Sequence, residues 1–146
     1  MNAVQEKKGT QILRVFLSHA RADEKDINKI QSILYKYYNL RIFTSEMLSA
    51  GEDWRTKLRD EITQCDIFIV LLSPNSIGSS WVLTELGAAW GLEKLIIPIF
   101  THPEILSKVP VELKNTESFD ISYLEEHPEA LNHIIDHYKE SVLRDS

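Results

Sequence analysis

Asp66-Ile-Phe-Ile-Val-Leu-Leu-Ser73 constrains the fold more than any other stretch of the chain. Its apolar residues, Ile67 to Leu72, run without polar alternation. Such a run marks a strand covered on both faces, as in the centre of a parallel sheet. Parallel neighbours need crossover connections, usually helices, and the flanking sequence supplies them. Arg14–Ser18 is a short apolar strand, and Leu40–Thr44 is a second. Between them Ile27, Ile30, Ile33, Leu34, Tyr37 and Tyr38 fall at helical spacing, with Asp23 as the expected cap. Trp54, Leu58 and Ile62 step by four and predict a second helix. Ser79 and Ser80 are candidate caps for a third, whose Trp81, Val82, Leu83, Leu86, Ala88, Ala89 and Trp90 read as buried. Leu95–Phe100 is a fourth strand in which Pro98 suggests a bulge or an edge. Glu117–Ile121 is expected as a fifth, edge strand, and Pro128 opens a last helix carrying Leu131, Ile134, Ile135, Tyr138 and Val142.

Alternating strands and helices predict an α/β fold: a flavodoxin-like three-layer sandwich, its five-stranded parallel sheet in the order 2-1-3-4-5 with helices on both faces. The 146 residues suit one domain, expected over 12–142 with flexible tails at 1–11 and 143–146. The net charge of −6 argues against a general grip on nucleic acid or anionic lipid. Cys65 is the sole cysteine, so no disulfide forms within the chain and a reducing compartment fits. The opening MNAVQEKKGTQ lacks an apolar signal region, and Ile67–Leu72 is far short of the ~20 residues of a membrane span. A cytoplasmic protein without nucleic-acid or membrane partners is the expectation.

In the order 2-1-3-4-5 the switch point lies between strands one and three, and ligands bind beyond the carboxyl ends there. The loops at that place are Ser18–Asp23, Ser45–Asp53 and Ser73–Ser80. With the start of the third helix they bring Ser18, His19, Arg21, Glu46, Trp54, Asn75, Ser80, Trp81 and Glu85 to one crevice. An arginine, aromatic faces, small polar groups and one carboxylate suit a ligand with phosphates, sugar hydroxyls and planar rings.

Several ligand classes are excluded by what these loops lack. A phospho-receiver needs acidic residues after strand one and an aspartate closing strand three, where Ser18-His19 and Ser73 stand. Neither a P-loop nor a dinucleotide-binding glycine fingerprint occurs, and no G-x-S-x-G elbow occurs. His133 and His137 are spaced i, i+4 but have no third ligand in sequence, so they read as a solvated helix face and no metal site is expected. Cys65 reads as packing. Taken singly, Glu85 could equally be a structural ion pair with Arg21 or Arg55, and Trp54 and Trp81 could be core.

Arg14-Val-Phe-Leu-Ser-His19, the Ser-Ala-Gly-Glu-Asp-Trp54 loop end, Asp66–Pro74, Ser80-Trp-Val-Leu-Thr-Glu85-Leu-Gly-Ala-Ala and Ile96-Ile-Pro-Ile99 occur in one order and spacing. Together they resemble a Toll/interleukin-1 receptor (TIR) domain of bacterial type. The resemblance implies one of two functions. One branch of the family cleaves NAD+ at the nicotinamide–ribose bond, giving ADP-ribose or a cyclic isomer; in bacteria it implies anti-phage signalling. The other branch is a non-enzymatic scaffold acting by homotypic assembly. The resemblance makes Glu85 of Trp81-x-x-x-Glu85 catalytic, places Trp54 at the nicotinamide end, and has Ser18–Arg21 line the nucleotide site. NAD+ is then substrate, and no cofactor is expected. Thr44 departs from the aspartate that closes strand two in many members, which bears on ribose contacts or product. A third reading is a nucleoside deoxyribosyltransferase-like enzyme, which uses a similar fold and a glutamate. The loop residues Met47, Leu48, Ala50 and Gly51 make an apolar tip with an acidic rim, expected to dock on another protomer. A sensor or effector, on the same chain or another, is a further expected partner.

Overall fold

The computed structural model describes residues 8–48, 51 and 53–145, with the side chains of 8–11 and 143–145 left aside. Ala50 lies outside the described residues, as do 1–7 and 146 of the expected tails. Five strands form one parallel sheet in the order β2-β1-β3-β4-β5. They are β1 (Lys8–Ser18), β2 (Tyr38–Phe43), β3 (Ile67–Leu72), β4 (Leu95–Phe100) and β5 (Phe119–Asp120). The helices are α1 (Glu24–Tyr37), α2 (Trp54–Gln64), α3 (Ser80–Gly91), α4 (Ile121–Glu126) and α5 (Asn132–Asp145). Strand β1 thus begins at Lys8, well before Arg14, and α5 continues to Asp145, so 8–11 and 143–145 are strand and helix backbone.

Side chains alternate cleanly across the central strands. Leu13, Val15 and Leu17 of β1 join Ile67, Ile69 and Leu71 of β3 in one core, closed by Ile27, Ile30 and Leu34 of α1, Leu124 of α4 and Ile135 of α5. Phe16, Phe68, Val70 and Leu72 point the other way, against Ile62 of α2 and Val82, Leu86 and Ala89 of α3. These two cores make the three-layer sandwich, and they explain why every residue of β3 is buried. At the foot of the sheet Asp66 fixes the β1–β3 register. Its backbone N–H donates to the Arg14 carbonyl at 2.7 Å, and its carboxylate accepts from the Arg14 N–H and the Tyr138 hydroxyl, each at 2.8 Å.

Four expectations are corrected. Asp23 does not cap α1 through its side chain, which is engaged elsewhere. Ser79, not Ser80, caps α3, accepting from the Val82 N–H at 3.2 Å. Of the two expectations for Pro98 the bulge is corrected, since the β3–β4 register runs unbroken through it, while the edge-facing position holds, because β5 joins β4 only from Ile99 onward. The fifth strand shrinks to two residues because Asp120 caps α4, accepting from the Ser122 N–H at 2.8 Å.

Phe68 has the deepest stake in the second core, since its ring stacks on Phe16 at 5.3 Å between centroids. Phe68→Ala should lower stability by about 3–5 kcal/mol, read from urea unfolding, while the exposed Val111→Ala should stay within about 0.5 kcal/mol of wild type.

Candidate functional site

Helix α3 buries a stripe of four residues, Val82, Glu85, Leu86 and Ala89. They follow i, i+3, i+4 and i+7, the spacing of a packed face. Trp81, Leu83, Ala88 and Trp90, expected as buried, are exposed. The carboxylate therefore lies on the face that meets the sheet, at 1% exposure. A charge in such a place needs hydrogen-bond donors, and two strand ends provide them. The Ser18 hydroxyl, closing β1, donates to Glu85 Oε1 at 2.6 Å. The Ser45 hydroxyl, just past β2, donates to Oε2 at 2.6 Å. Ser45 Oγ in turn accepts from Trp81 Nε1 at 3.1 Å. The expected alternative of an ion pair with Arg21 or Arg55 is overturned: both carboxylate oxygens are on serines, and the Arg55 guanidinium lies 4.7 Å over the Trp54 ring.

Burial pushes the Glu85 carboxyl above its ordinary value, opposed by the hydrogen bonds from Ser18 and Ser45, the nearness of His19 and the Trp81 ring N–H.

Above Glu85 opens a cleft of about 470 Å³, lined by His19, Ala20, Arg21, Ser45, Glu46, Asn75, Ser79 and Trp81. It lies beyond the carboxyl ends of β1, β2 and β3, at the switch point. Its size falls within the roughly 300–1,000 Å³ of small-molecule sites. Glu85 is not part of the lining; Ser45 and Trp81 stand between it and the cleft. His19 is mostly buried, and its Nδ1–H donates to the Ala20 carbonyl at 2.8 Å. Its Nε2 is 3.7 Å from Glu46 Oε1, a charged contact once the ring is protonated. Two other openings, of about 420 Å³ by Leu106 and Lys114 and about 370 Å³ by His133 and His137, contain no buried carboxylate. His133 meets Glu117 at 3.1 Å, and among the described residues no three potential ligands gather as a metal site.

Ser18, His19, Arg21, Glu46, Asn75 and Trp81 surround the cleft or Glu85. Trp54, 39% exposed, opens α2 outside the lining and packs on Trp81 at 5.5 Å between ring centroids, so it is not core. Ser80 is exposed and outside the lining, where Ser79 stands instead. On the loop after β2, Met47 is 60% exposed, Leu48 half-buried and Gly51 left-handed at φ +89°. Thr44 is buried just beyond β2, its N–H donating to Met47 Sδ at 3.5 Å. Four residues were missed: Ser45, Ser79, Ser73 and Asp23. One signal marks two of them, since Ser45 and Ser73, like Ser18, stand at or just past the ends of apolar strands.

The family model of the TIR domain matches residues 15–135. The chain belongs to the TIR domain family. This TIR domain shares its fold with the TIR domain of the Toll-related receptor TRR-2 from Hydra magnipapillata, at a TM-score of 0.67 and 19% identity over 86% of this chain and 97% of that one. It is also similar to the 2-desoxiribosyltransferase from Leishmania mexicana (TM-score 0.55, 21% identity, 79% of this chain and 98% of that one). A third likeness is to the TIR domains of the activated Roq1 resistosome directly recognizing the pathogen effector XopQ (TM-score 0.54, 19% identity, 90% of this chain and 82% of that one). At these identities the likeness concerns the fold. A comparison with curated protein sequences finds no match. Among the described residues no helix is long and apolar enough to cross a membrane.

The raised Glu85 carboxyl has a consequence for stability. In the folded state it holds its proton to higher pH than in the unfolded chain. Its effect is therefore most favourable below the ordinary value of 4.5 and is lost as pH rises through the folded value. Glu85→Gln, which cannot ionise, should gain stability relative to wild type as pH rises through that window. Urea unfolding of both proteins from pH 4 to 8 checks this; a difference constant with pH contradicts it.

Proposed function

We propose that this domain, a bacterial-type TIR domain spanning 12–142, cleaves NAD+ at the nicotinamide–ribose bond, releasing ADP-ribose or a cyclic isomer. One observation carries the reading: Glu85, buried beside the switch-point cleft, is held by two serine hydroxyls and, among the described residues, forms no ion pair with lysine or arginine. Nicotinamide in NAD+ is a cationic pyridinium and leaves neutral, taking the bonding electron pair, so no second carboxyl is needed as general acid. The ribose left behind develops oxocarbenium character, which a preorganised anion stabilises. Glu85 reaches it when a ribose hydroxyl takes the place of Ser45 on Oε2. Trp81 and Trp54 offer ring faces for the nicotinamide end, and Arg21 offers charge for the phosphates. Attack by water forms the new C–O bond and gives ADP-ribose; attack by the substrate's own adenine nitrogen or a ribose hydroxyl gives a cyclic product. NAD+ is the substrate, with no cofactor.

The biological setting that fits is cytoplasmic anti-phage defence signalling, alongside a sensor or effector. It rests on the sequence resemblance. The exposed Met47 on the loop after β2 favours assembly of TIR domains through this loop. A scaffold without activity would use the same loop, but it has no need of a buried carboxylate.

Incubation of purified protein with NAD+, followed by chromatography, should show nicotinamide with ADP-ribose or a cyclic isomer. Glu85→Gln should lower the rate by roughly 100-fold or more. Activity within about threefold of wild type removes Glu85 from the chemistry.

Specific activity should also rise with protein concentration, and Met47→Asp should abolish that rise while the domain stays folded. A flat response over a hundredfold range, in protein that stays monomeric by light scattering, argues against assembly-dependent activity.

A further inference from the structure

Asp23 is buried beneath the cleft, and its partners can be assigned proton by proton. Ser73 Oγ accepts from two backbone donors, the Asn75 N–H at 3.1 Å and the Ser76 N–H at 3.0 Å. Its own hydroxyl proton therefore points at Asp23 Oδ2, 2.5 Å away. The other carboxylate oxygen, Oδ1, accepts from Asn75 Nδ2 at 2.8 Å. Ser76 completes the loop, accepting from the Ser73 N–H and donating to the Leu71 carbonyl. Both Asp23 oxygens are thus acceptors, and an acceptor-only group can face only the NH₂ end of an amide. The usual ambiguity of an asparagine side chain is removed here. The carbonyl Oδ1 is the end left to the cleft, which Asn75 lines.

We propose that Asp23 is a positioning residue: it fixes Asn75 as a hydrogen-bond acceptor in the cleft, so that Asn75 selects ligands carrying an N–H or O–H donor at that corner. This inference rests on the NAD+ reading for its substrate. In a dinucleotide the donor is the exocyclic amine of adenine or a ribose hydroxyl; the shared chemistry is donation to an amide carbonyl. A site built to accept such a bond favours ligands with the donor, because an analogue lacking it displaces water from the Asn75 carbonyl without replacing its hydrogen bond.

The test compares NAD+ with analogues that each lack one donor: the dinucleotide of unsubstituted purine, in which hydrogen replaces the adenine amine, and dinucleotides missing one ribose hydroxyl. Wild type should show a KM roughly tenfold higher for one of them, with kcat within about twofold. Which analogue suffers identifies the donor. Asn75→Ala, at an exposed position, and Asp23→Asn, where two amides face each other without a fixed sense, should both raise KM for NAD+ and bring the ratio of KM values towards one. A purely structural role would depress both substrates alike and leave the ratio unchanged. Should Asp23→Asn not fold, the side-chain NH₂ resonance of Asn75 in wild type serves, assigned by its loss in Asn75→Ala. Slow exchange with solvent is expected; exchange at the rate of a free amide overturns the proposal. Wild-type discrimination against none of the analogues, or ratios unchanged in the variants, overturns it while NAD+ cleavage stands. Wild type that releases no nicotinamide overturns the NAD+ reading and this inference together.

Discussion

Glu85 can be buried only because donors reach it from two different strand ends. Moving a carboxylate out of water without partners costs several kcal/mol, and on α3 itself only the Trp81 ring N–H helps. The helix must bury that residue, because Glu85 shares a stripe with Val82, Leu86 and Ala89. The sheet therefore sets the terms. With β2, β1 and β3 side by side, Ser18 and Ser45 come within reach of one carboxylate though 27 residues of sequence separate them. A different strand order would part these hydroxyls and leave the charge unpaired. The order is secured far from the site, where Asp66 ties β3 to β1 and α5.

That dependence explains what could be read in the sequence. The parallel sheet followed from the unbroken apolar run of β3 together with the alternation of strands and helices, and its order from the flavodoxin-like pattern with the most apolar strands in the middle. Glu85 stood out as the lone charge of an apolar helix. What escaped were the interactions that need three-dimensional pairing. Asp23 sits where a cap belongs, and nothing local says that its carboxylate turns to Ser73 and Asn75 across 50 residues or more. The burial of α3 was overestimated for a similar reason. An almost wholly apolar helix gives no phase, so Trp81 and Trp90 read as core although the sheet takes only the face between them. Strand β5 was overextended because Asp120, a strong cap, was counted as strand.

The two donors to Glu85 differ in how firmly they are held, and the difference bears on mechanism. Ser18 ends a strand hydrogen-bonded on both sides and is fully buried. Ser45 opens a three-residue 3-10 turn at the lip of the cleft, where Trp81 and the contact between Glu46 and His19 hold it in place. Oε1 is thus held from the sheet, while Oε2 is held from a turn at the edge of the cleft. Without the Ser45 hydroxyl, Glu85 loses one of the hydrogen bonds that oppose desolvation, and its neutral form gains. In the proposed reaction the charge on Glu85 is kept when another donor replaces Ser45. A ribose hydroxyl of the bound substrate is such a donor. On the proposed reading, ionisation of Glu85 and substrate binding are coupled through one hydrogen bond on Oε2.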